Sequence, residues 1–207
     1  MDINKLLFLL SDGEFHSGSE LGAALGLSRT SVWKSLPLLE NLSVVTETVK
    51  GKGYRIPGGL DLLDENTIAA LLPKDISDQL AIDLVLSHES TNDYLIQLSK
   101  QKPLIKYHAC LAEMQLSGRG RRGRSWVSPF AKNIYLSLGF SLGAGVEQLS
   151  GLSLVVGIAV AGALENLGVQ DVGLKWPNDV FVGGRKVAGI LLELSGEATT
   201  SWNVICG

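Results

Sequence analysis

The sequence predicts an α+β protein with two domains, an N-terminal winged helix-turn-helix and a larger domain in which strands and helices alternate. Residues 1–60 contain short helical patterns followed by a hairpin pattern, and residues 83–207 contain strand-like runs separated by helical ones. Residues 61–82 between them form a predicted linker. With 45% hydrophobic and 19% charged residues among 207, the chain has enough apolar side chains to form a core.

Capping signals support the helices of the first domain. An apolar helix is predicted over Ile3–Leu10, and Ser17 stands three residues before Glu20, which is the spacing of a capping box. Gly26 ends that second helix, and Ser28 is placed to cap a third. A helix, a tight turn with glycine and another helix are typical of DNA-binding helix-turn-helix units.

The third helix and the hairpin that follows it carry the candidate DNA-binding residues. A strand at Val44–Val49, a glycine-containing basic tip and a strand at Tyr54–Ile56 predict the wing. The net charge of the chain is −3, so any attraction to DNA must be local. Side chains that suit base edges and phosphates stand at the start of the third helix and at the tip: Arg29, Thr30, Ser31, Lys34, Lys50 and Lys52. A winged helix that contacts protein instead of DNA is the alternative.

The linker and the second domain follow a mixed pattern. The predicted elements are a connecting helix at Asp64–Leu72, a strand at Ile82–Leu86, a helix at Tyr94–Ser99, strands at Tyr107–Glu113 and Ile134–Phe140, and a last strand from Trp202. The uncharged span Gln148–Leu164 is short for a membrane helix and contains glycines, so we predict a buried, closely packed helix in a cytoplasmic protein without a membrane partner. Cys110 and Cys206 lie in apolar runs, which predicts buried thiols.

The loop Gly118–Arg124 is the most unusual stretch, with four arginines and three glycines in seven residues. Glycine lets the backbone bend tightly and present its N–H groups, and arginine offers charged forks that suit phosphate or carboxylate. A solvated basic loop or an RNA-binding segment remains open from these residues alone. Its position between the apolar run Ala109–Ala112 and the alternating run Ile134–Leu138 favours an anion-binding loop, which we expect to be mobile when empty and ordered when occupied.

Four motifs resemble, in order and spacing, those of biotin–protein ligases: Ser90-Thr91-Asn92, Gln115 with the Gly118–Arg124 loop, Lys175–Asp179, and Arg185–Glu193. With the winged helix, the chain is similar to the bifunctional bacterial form, which is also the repressor of biotin-synthesis genes. The resemblance implies a catalytic core related to class II aminoacyl-tRNA synthetases. Such a core joins biotin to ATP with Mg²⁺ to give biotinyl-5′-adenylate, and then transfers biotin to a lysine of the biotin carboxyl-carrier protein.

The resemblance also implies roles for single residues. The implied biotin-binding residues are Ser90, Thr91, Asn92, Gln115, Arg119, Arg121, Lys186 and Gly189. The implied nucleotide-binding residues are Arg121, Trp126, Lys175, Asn178 and Asp179, with Asp179 also a candidate metal contact. Arg121 and Lys186 are the implied catalytic residues, because cations at the reacting carboxylate and phosphate stabilise charge that develops there.

Several alternatives stay open at this point. Ser90-Thr91-Asn92 alone fits a helix cap, Lys186 a surface lysine and Trp126 core packing, while Trp176-Pro177 is assigned a structural role in core or turn. The family's core continues beyond Gly207 and a small β-barrel domain follows, so we expect a C-terminally truncated, partial core. A ligand-sensing transcription factor without turnover and a lipoate or octanoyl ligase are the rival functions. Repression predicts a homodimer formed edge to edge near Val187–Leu194.

Overall fold

The computed structural model describes residues 3–102, 104, 107–142, 151–196 and 202–207, and it has the predicted α+β architecture. The helices are α1 (Ile3–Leu10), α2 (Gly18–Leu25), α3 (Arg29–Ser35), α4 (Pro37–Glu40), α5 (Glu65–Leu71), α6 (Lys74–Ser77), α7 (Thr91–Gln101) and α8 (Leu152–Asn166). The strands are β1 (Glu47–Val49), β2 (Gly53–Arg55), β3 (Leu80–Val85), β4 (Tyr107–Ala112), β5 (Tyr135–Leu142), β6 (Val172–Lys175), β7 (Asp179–Val182), β8 (Arg185–Gly189), β9 (Leu192–Ser195) and β10 (Trp202–Cys206).

The caps of the first domain are confirmed. Ser17 and Glu20 form the reciprocal capping box at the start of α2, and Gly26 ends α2 in the left-handed conformation with φ 66°. The backbone N–H of Ser31 donates to Ser28 Oγ over 3.1 Å at the start of α3. The helix-turn-helix therefore forms from local signals that are visible in the sequence.

The wing is shorter than predicted. The strand predicted over Val44–Val49 is wrong in its first half, because β1 begins only at Glu47 and pairs with β2. Val44 is buried in the core instead, and its N–H donates to Leu39 O over 3.1 Å. Ser43 has φ 58°, so the chain turns there before the wing begins.

The core of the winged helix extends into the second domain. Buried leucines of α1 and α2, such as Leu6 and Leu21, form one cluster with Phe130, which follows the Gly118–Arg124 loop in sequence. Leu86 and Met114 pack against the same cluster. The two parts of the chain thus share apolar packing.

The second part contains two sheets. A five-stranded sheet has the order β3-β4-β5-β10-β9, with β3 and β4 parallel and the other neighbours antiparallel, and a three-stranded antiparallel sheet has the order β6-β7-β8. Helix α7 packs on the larger sheet through Leu95, which is fully buried beside Cys110 and Ile205. The stretch predicted as a dimer edge, Val187–Leu194, runs from β8 at the edge of one sheet to β9 at the edge of the other.

We predicted a buried, closely packed helix within Gln148–Leu164, and the prediction of burial is wrong. Helix α8 forms there, with residues 148–150 outside the described part, but Gly157 is its one buried residue. Val155 and Ile158 are 61% and 60% exposed. An uncharged sequence shows that a helix can be buried, but not that another element covers every face. No helix in the described residues is long and apolar enough to cross a membrane.

The prediction of buried thiols is confirmed. Cys110 and Cys206 are both free and buried. Burial raises the pKa of the Cys110 thiol to about 12 and that of Cys206 to about 11. Neither thiol is therefore a ready nucleophile at neutral pH.

Candidate active site

The first group of predicted site residues lies at the start of α7. Ser90, Thr91 and Asn92 are all buried there. The Thr91 N–H donates to Gln115 Oε1 over 2.9 Å, and Gln115 Nε2 donates to Ser128 Oγ over 3.2 Å. Ser90 occupies the N-cap position, but its side chain makes no capping hydrogen bond, so a simple helix cap does not account for it. The fold therefore brings the predicted Thr91 and Gln115 together.

Ser137 joins this group from the middle of β5. Its hydroxyl oxygen is completely buried, 2.7 Å from Thr91 Oγ1 and 2.5 Å from Asn92 Oδ1. A hydroxyl can donate to one such partner and accept from another. The Asn92 amide donates to Leu191 O over 3.2 Å and to Glu193 Oε2 over 2.8 Å. A continuous buried polar network thus connects α7, β5 and the stretch before β9.

Arg119 anchors the base of the arginine–glycine loop to this network. Its guanidinium makes a two-pronged ion pair with Asp93 and also contacts Glu193 Oε1 over 3.1 Å. The hydrogen bonds from Arg119 hold the pKa of the Asp93 carboxyl below its usual range. Glu193 accepts from both Asn92 and Arg119, so it connects the loop to the start of α7. The role of Arg119 toward biotin stays a prediction.

The tip of the loop reaches toward the nucleotide side of the predicted site. Arg121 is exposed, and its Nη1 donates to Asn178 Oδ1 over 3.3 Å. The Asn178 amide in turn donates to Ile190 O over 2.9 Å. At Gly118 a Cβ atom would lie 2.7 Å from Ser128 Oγ and 2.8 Å from Trp126 O, so only glycine fits at the base of the loop.

Lys186 stands among three other predicted residues. Its Nζ lies 2.7 Å from Asp179 Oδ1 and forms an ion pair with it. That buried oxygen accepts no aligned hydrogen bond within the described residues. The same Nζ lies 5.0 Å from the centre of the Trp126 ring. A Cβ at Gly189 would approach Lys186 Nζ to 3.0 Å and Trp126 to 3.3 Å. The Gly189 backbone therefore lies against both side chains.

Two residues of the Lys175–Asp179 motif lie toward solvent. Lys175 is exposed and stands opposite Asp179 in the backbone register of β6 and β7. Its Nζ lies 5.3 Å from the centre of the Phe181 ring. Trp176 is 79% exposed, so a core role for it is wrong, and the Trp176–Pro177 peptide is cis. The motif places Asn178 next to Arg121 of the loop and Asp179 next to Lys186, whereas the Lys175 ammonium lies over the Phe181 ring.

The candidate DNA-binding side chains are mostly accessible. Arg29, Thr30 and Lys34 are exposed on α3, and Lys50 and Lys52 are exposed at the tip of the wing. Ser31 is half-buried, with its hydroxyl 2.9 Å from Ser28 Oγ, which ties it to the helix cap. Trp33, which is 60% exposed next to Lys34, was not predicted as a DNA contact.

Three residues of the site network were also missed as site residues: Asp93, Ser137 and Glu193. Each had a local signal, since Asp93 follows the Ser90-Thr91-Asn92 motif and Glu193 closes the last one. Ser137 is a polar residue at an inward position of an apolar strand, which is a place for a hydrogen-bonded side chain. Their partners lie too far away in sequence for spacing to identify them.

Comparisons with known proteins identify the families that match the two parts of the chain. The Biotin/lipoate A/B protein ligase family profile matches residues 85–207, and an HTH domain profile matches residues 3–55. The chain is 45% identical over 202 residues to the bifunctional ligase/repressor BirA of Salmonella typhimurium, covering 98% of this chain and 61% of that protein. It is 43% identical over 203 residues to the Escherichia coli protein of the same name, again covering 98% of this chain and 61% of that protein. The chain thus spans about three-fifths of the length of these relatives.

A solved structure gives the same fold. The biotin protein ligase of Leishmania major in complex with biotinyl-5-AMP superposes with a TM-score of 0.51 and 28% identity, over 61% of this chain and 56% of that one. The predicted combination of a winged helix-turn-helix with a synthetase-like α+β core is confirmed.

Proposed function

The chain belongs to the biotin/lipoate A/B protein ligase family, and from that premise we propose that it is an ATP-dependent biotin–protein ligase. It would form biotinyl-5′-adenylate and transfer biotin to a lysine of a biotin carboxyl-carrier protein. One observation carries this proposal: residues 189–191 contact both the cationic group around Lys186 and the buried polar network around Asn92. Gly189 lies against Lys186 and Trp126, and Leu191 accepts from the buried Asn92.

The buried polar cluster is suited to the ureido ring. That ring presents N–H donors and a carbonyl acceptor, and Thr91, Gln115 and Ser137 supply hydroxyl and amide groups of both kinds. A site built to hydrogen-bond a polar group rejects an analogue without it, because its buried partners are then left unpaired. This favours biotin over lipoate or octanoate, whose acyl chains carry no ureido group.

The cationic cluster is suited to the first chemical step. The biotin carboxylate oxygen attacks the α-phosphorus of ATP, a P–O bond forms, and the bond to pyrophosphate breaks. Negative charge builds up on the α-phosphate oxygens during this step, and Lys186 with Arg121 would stabilise it. In the second step the neutral acceptor lysine nitrogen attacks the acyl carbon, a C–N bond forms, the acyl C–O bond to AMP breaks, AMP leaves with that oxygen on its phosphate, and the nitrogen loses a proton to water. Ordering the Gly118–Arg124 loop over the mixed anhydride would exclude water between the two steps.

Mg²⁺ would bind on the nucleotide side of the site together with the triphosphate of ATP. Asp179 would hold it, since protein sites bind Mg²⁺ through one or two carboxylates together with substrate phosphates. Its Oδ1 forms an ion pair with Lys186 but accepts no aligned hydrogen bond within the described residues, and these contain no group of three or more acidic, His or Cys side chains that could hold a metal alone. The ion would neutralise part of the charge of the triphosphate.

Substitution of Arg121 tests the loop. Arg121→Gly removes the side chain that reaches Asn178 and leaves the backbone free, so the adenylate should escape and label lysines of an unrelated protein such as serum albumin. We expect at least about tenfold more off-target biotin on albumin, measured by streptavidin blotting. Arg122→Gly is the matched control, because Arg122 already has φ 59° and glycine fits there without strain. Equal off-target labelling by both variants would contradict a specific role of Arg121.

We also propose that α3 and the wing bind operator DNA, which makes the protein a repressor as well as a ligase. Replacing Arg29 and Lys34 by alanine should weaken binding to a duplex selected from a random pool by about 10–100-fold, measured by fluorescence anisotropy. Lys132→Ala is a control that removes one positive charge from an exposed position of the second domain. If the double variant binds as well as this control, α3 is not the reading helix.

We also propose that the protein forms a homodimer and acts in the cytoplasm. The stretch Val187–Leu194 supplies an edge strand to each sheet, and Val187 and Leu194 are 51% and 39% exposed. Edge strands offer unpaired N–H and C=O groups to a second copy. A two-fold operator would be read by such a pair of winged helices. The carrier protein and operator DNA are both cytoplasmic partners.

A further inference from the structure

The outward face of α3 carries an exposed indole ring. Val32 and Ser35 are buried on the inner side of α3, and Val32 belongs to the core cluster of the winged helix. Residues three and four positions apart share one face of a helix, so Thr30, Trp33 and Lys34 lie together on the side turned away from that core. Trp33 is 60% exposed and is not a member of the core cluster that the described residues form. Its ring therefore contributes little to the packing of the domain.

The surroundings of this indole are positively charged. Arg29 stands one helical turn before Trp33 and Lys34 follows it directly, and both are exposed, as are the two lysines at the tip of the wing. Between positions 29 and 55 the sequence has five basic and two acidic residues. One of the two acidic residues, Glu47, is paired with Arg55, whose Nε donates to it over 2.6 Å. A polyanion fits this surface best, because an apolar partner would leave these charges without counterions.

The indole cannot bind the phosphates of such a polyanion in the way that the neighbouring cations do. It is uncharged, it has a single N–H donor, and most of the surface that it exposes is apolar. The second helix of a helix-turn-helix lies in the major groove of DNA. The apolar group on the base edges in that groove is the C5 methyl group of thymine, which apolar side chains contact.

We propose that Trp33 recognises thymine by packing its ring against the C5 methyl group in the major groove. The inference rests on the proposed binding of operator DNA by α3 and the wing, and it adds a specificity-determining residue to that function. Arg29 and Lys34 supply the charged contacts, and Trp33 supplies sequence preference without charge.

The test measures how the affinity of the 207-residue chain for a duplex selected from a random pool depends on thymine methyl groups. Each thymine of the duplex is replaced in turn by deoxyuridine, which removes the methyl group and keeps the base pair. For the unsubstituted protein, fluorescence anisotropy should show a loss of about 3–10-fold at one thymine or more. Trp33→Ala should bind the thymine duplex about 5–20-fold more weakly. The same variant should lose nothing further with deoxyuridine at that position, because the two changes remove one contact.

The salt dependence of binding separates this contact from a contact between charges. Trp33→Ala should leave the slope of log Kd against log salt concentration unchanged, whereas replacing both Arg29 and Lys34 by alanine should lower it by about two. Leu71→Ala is the matched control, because Leu71 is an apolar residue of α5 that is 80% exposed outside the winged helix. It should keep the DNA affinity within a factor of about two. Trp33→Ala should also keep the urea midpoint of unfolding, since the ring is exposed.

Three results would overturn the assignment of Trp33 to thymine. The first is that no thymine methyl group matters to the unsubstituted protein, a measurement that needs no variant. The second is that Trp33→Ala binds the thymine duplex unchanged, or loses the same factor on the thymine and deoxyuridine duplexes. The third is that Trp33→Ala changes the oligomeric state of the DNA-free protein and not its DNA affinity, which would place the indole in a protein interface.

Failure of the proposed DNA-binding function gives a different result. In that case the chain selects no duplex, or the variant without Arg29 and Lys34 binds as well as Lys132→Ala, and the role of Trp33 falls with it. If the charged variant weakens binding and Trp33→Ala does not, the binding of DNA by α3 stands and only the recognition of thymine is wrong.

Discussion

Lys186→Ala should lower the rate of biotin-dependent pyrophosphate release by about 10²–10³-fold, the usual effect of removing one group that stabilises transition-state charge. The ammonium of Lys186 is held by Asp179 and lies over Trp126, so its position does not depend on substrate alone. A preorganised cation costs little reorganisation during the reaction. Initial rates in a coupled pyrophosphate assay at saturating biotin and ATP measure the effect.

The neighbouring residue supplies the control. Arg185 is exposed and adjacent on β8, where successive side chains point to opposite faces. Arg185→Ala should therefore keep the rate within a factor of about two. If both variants lose activity equally, the loss comes from damage to β8 or from a general reduction of positive charge. If neither does, Lys186 is the surface lysine that its sequence context also allows.

Asn92→Ala should lower the free energy of unfolding by about 2–4 kcal/mol, because it leaves several buried groups without partners. The Asn92 amide donates to Leu191 O and Glu193, and its oxygen lies 2.5 Å from the buried Ser137 hydroxyl. The variant should also bind biotin more weakly, since Ser137, which contacts Thr91, loses the Asn92 oxygen that helps to fix it. Urea titration followed by tryptophan fluorescence measures the stability, and calorimetry measures the affinity.

Asn133→Ala is the control for this loss. Asn133 is exposed, and its amide donates to the Tyr135 hydroxyl over 2.9 Å. Its removal should change the free energy of unfolding by less than about 0.5 kcal/mol. A similarly small effect at Asn92 would mean that the buried network is not coupled to stability. Loss of stability with unchanged biotin affinity would separate the network from the ureido site.

Local chemistry explains which features of the fold could be predicted. The capping box of Ser17 and Glu20 and the left-handed Gly26 depend on residues a few positions apart, so the helix-turn-helix was predictable from spacing. Val44 was assigned to a strand from its β-branched neighbours, but a backbone bond to Leu39 and the core environment decide its conformation. The apolar pattern of α8 likewise did not show that Val155 and Ile158 are exposed.

The site shows the same division. The sequence motifs predicted Thr91, Gln115, Arg121 and Lys186 as site residues, but they did not predict the residues that hold these side chains in place. Arg119 contacts Asp93 and Glu193, which are 26 and 74 residues away, and no local pattern indicates such partners. The acidic residues also show how a loop with four arginines is partly neutralised by the protein itself. Long-range ion pairs become visible only when the sheets are assembled.

Biotin-dependent release of pyrophosphate from Mg-ATP tests the central claim most directly, with lipoate and octanoate as controls. We expect release with biotin and none with the two other acids, because only biotin carries a ureido ring for the Thr91–Gln115–Ser137 cluster. Calorimetry with biotin alone then separates binding from turnover. Release with lipoate or octanoate at a comparable rate, or absence of biotin binding, would contradict the assignment of this site to biotin.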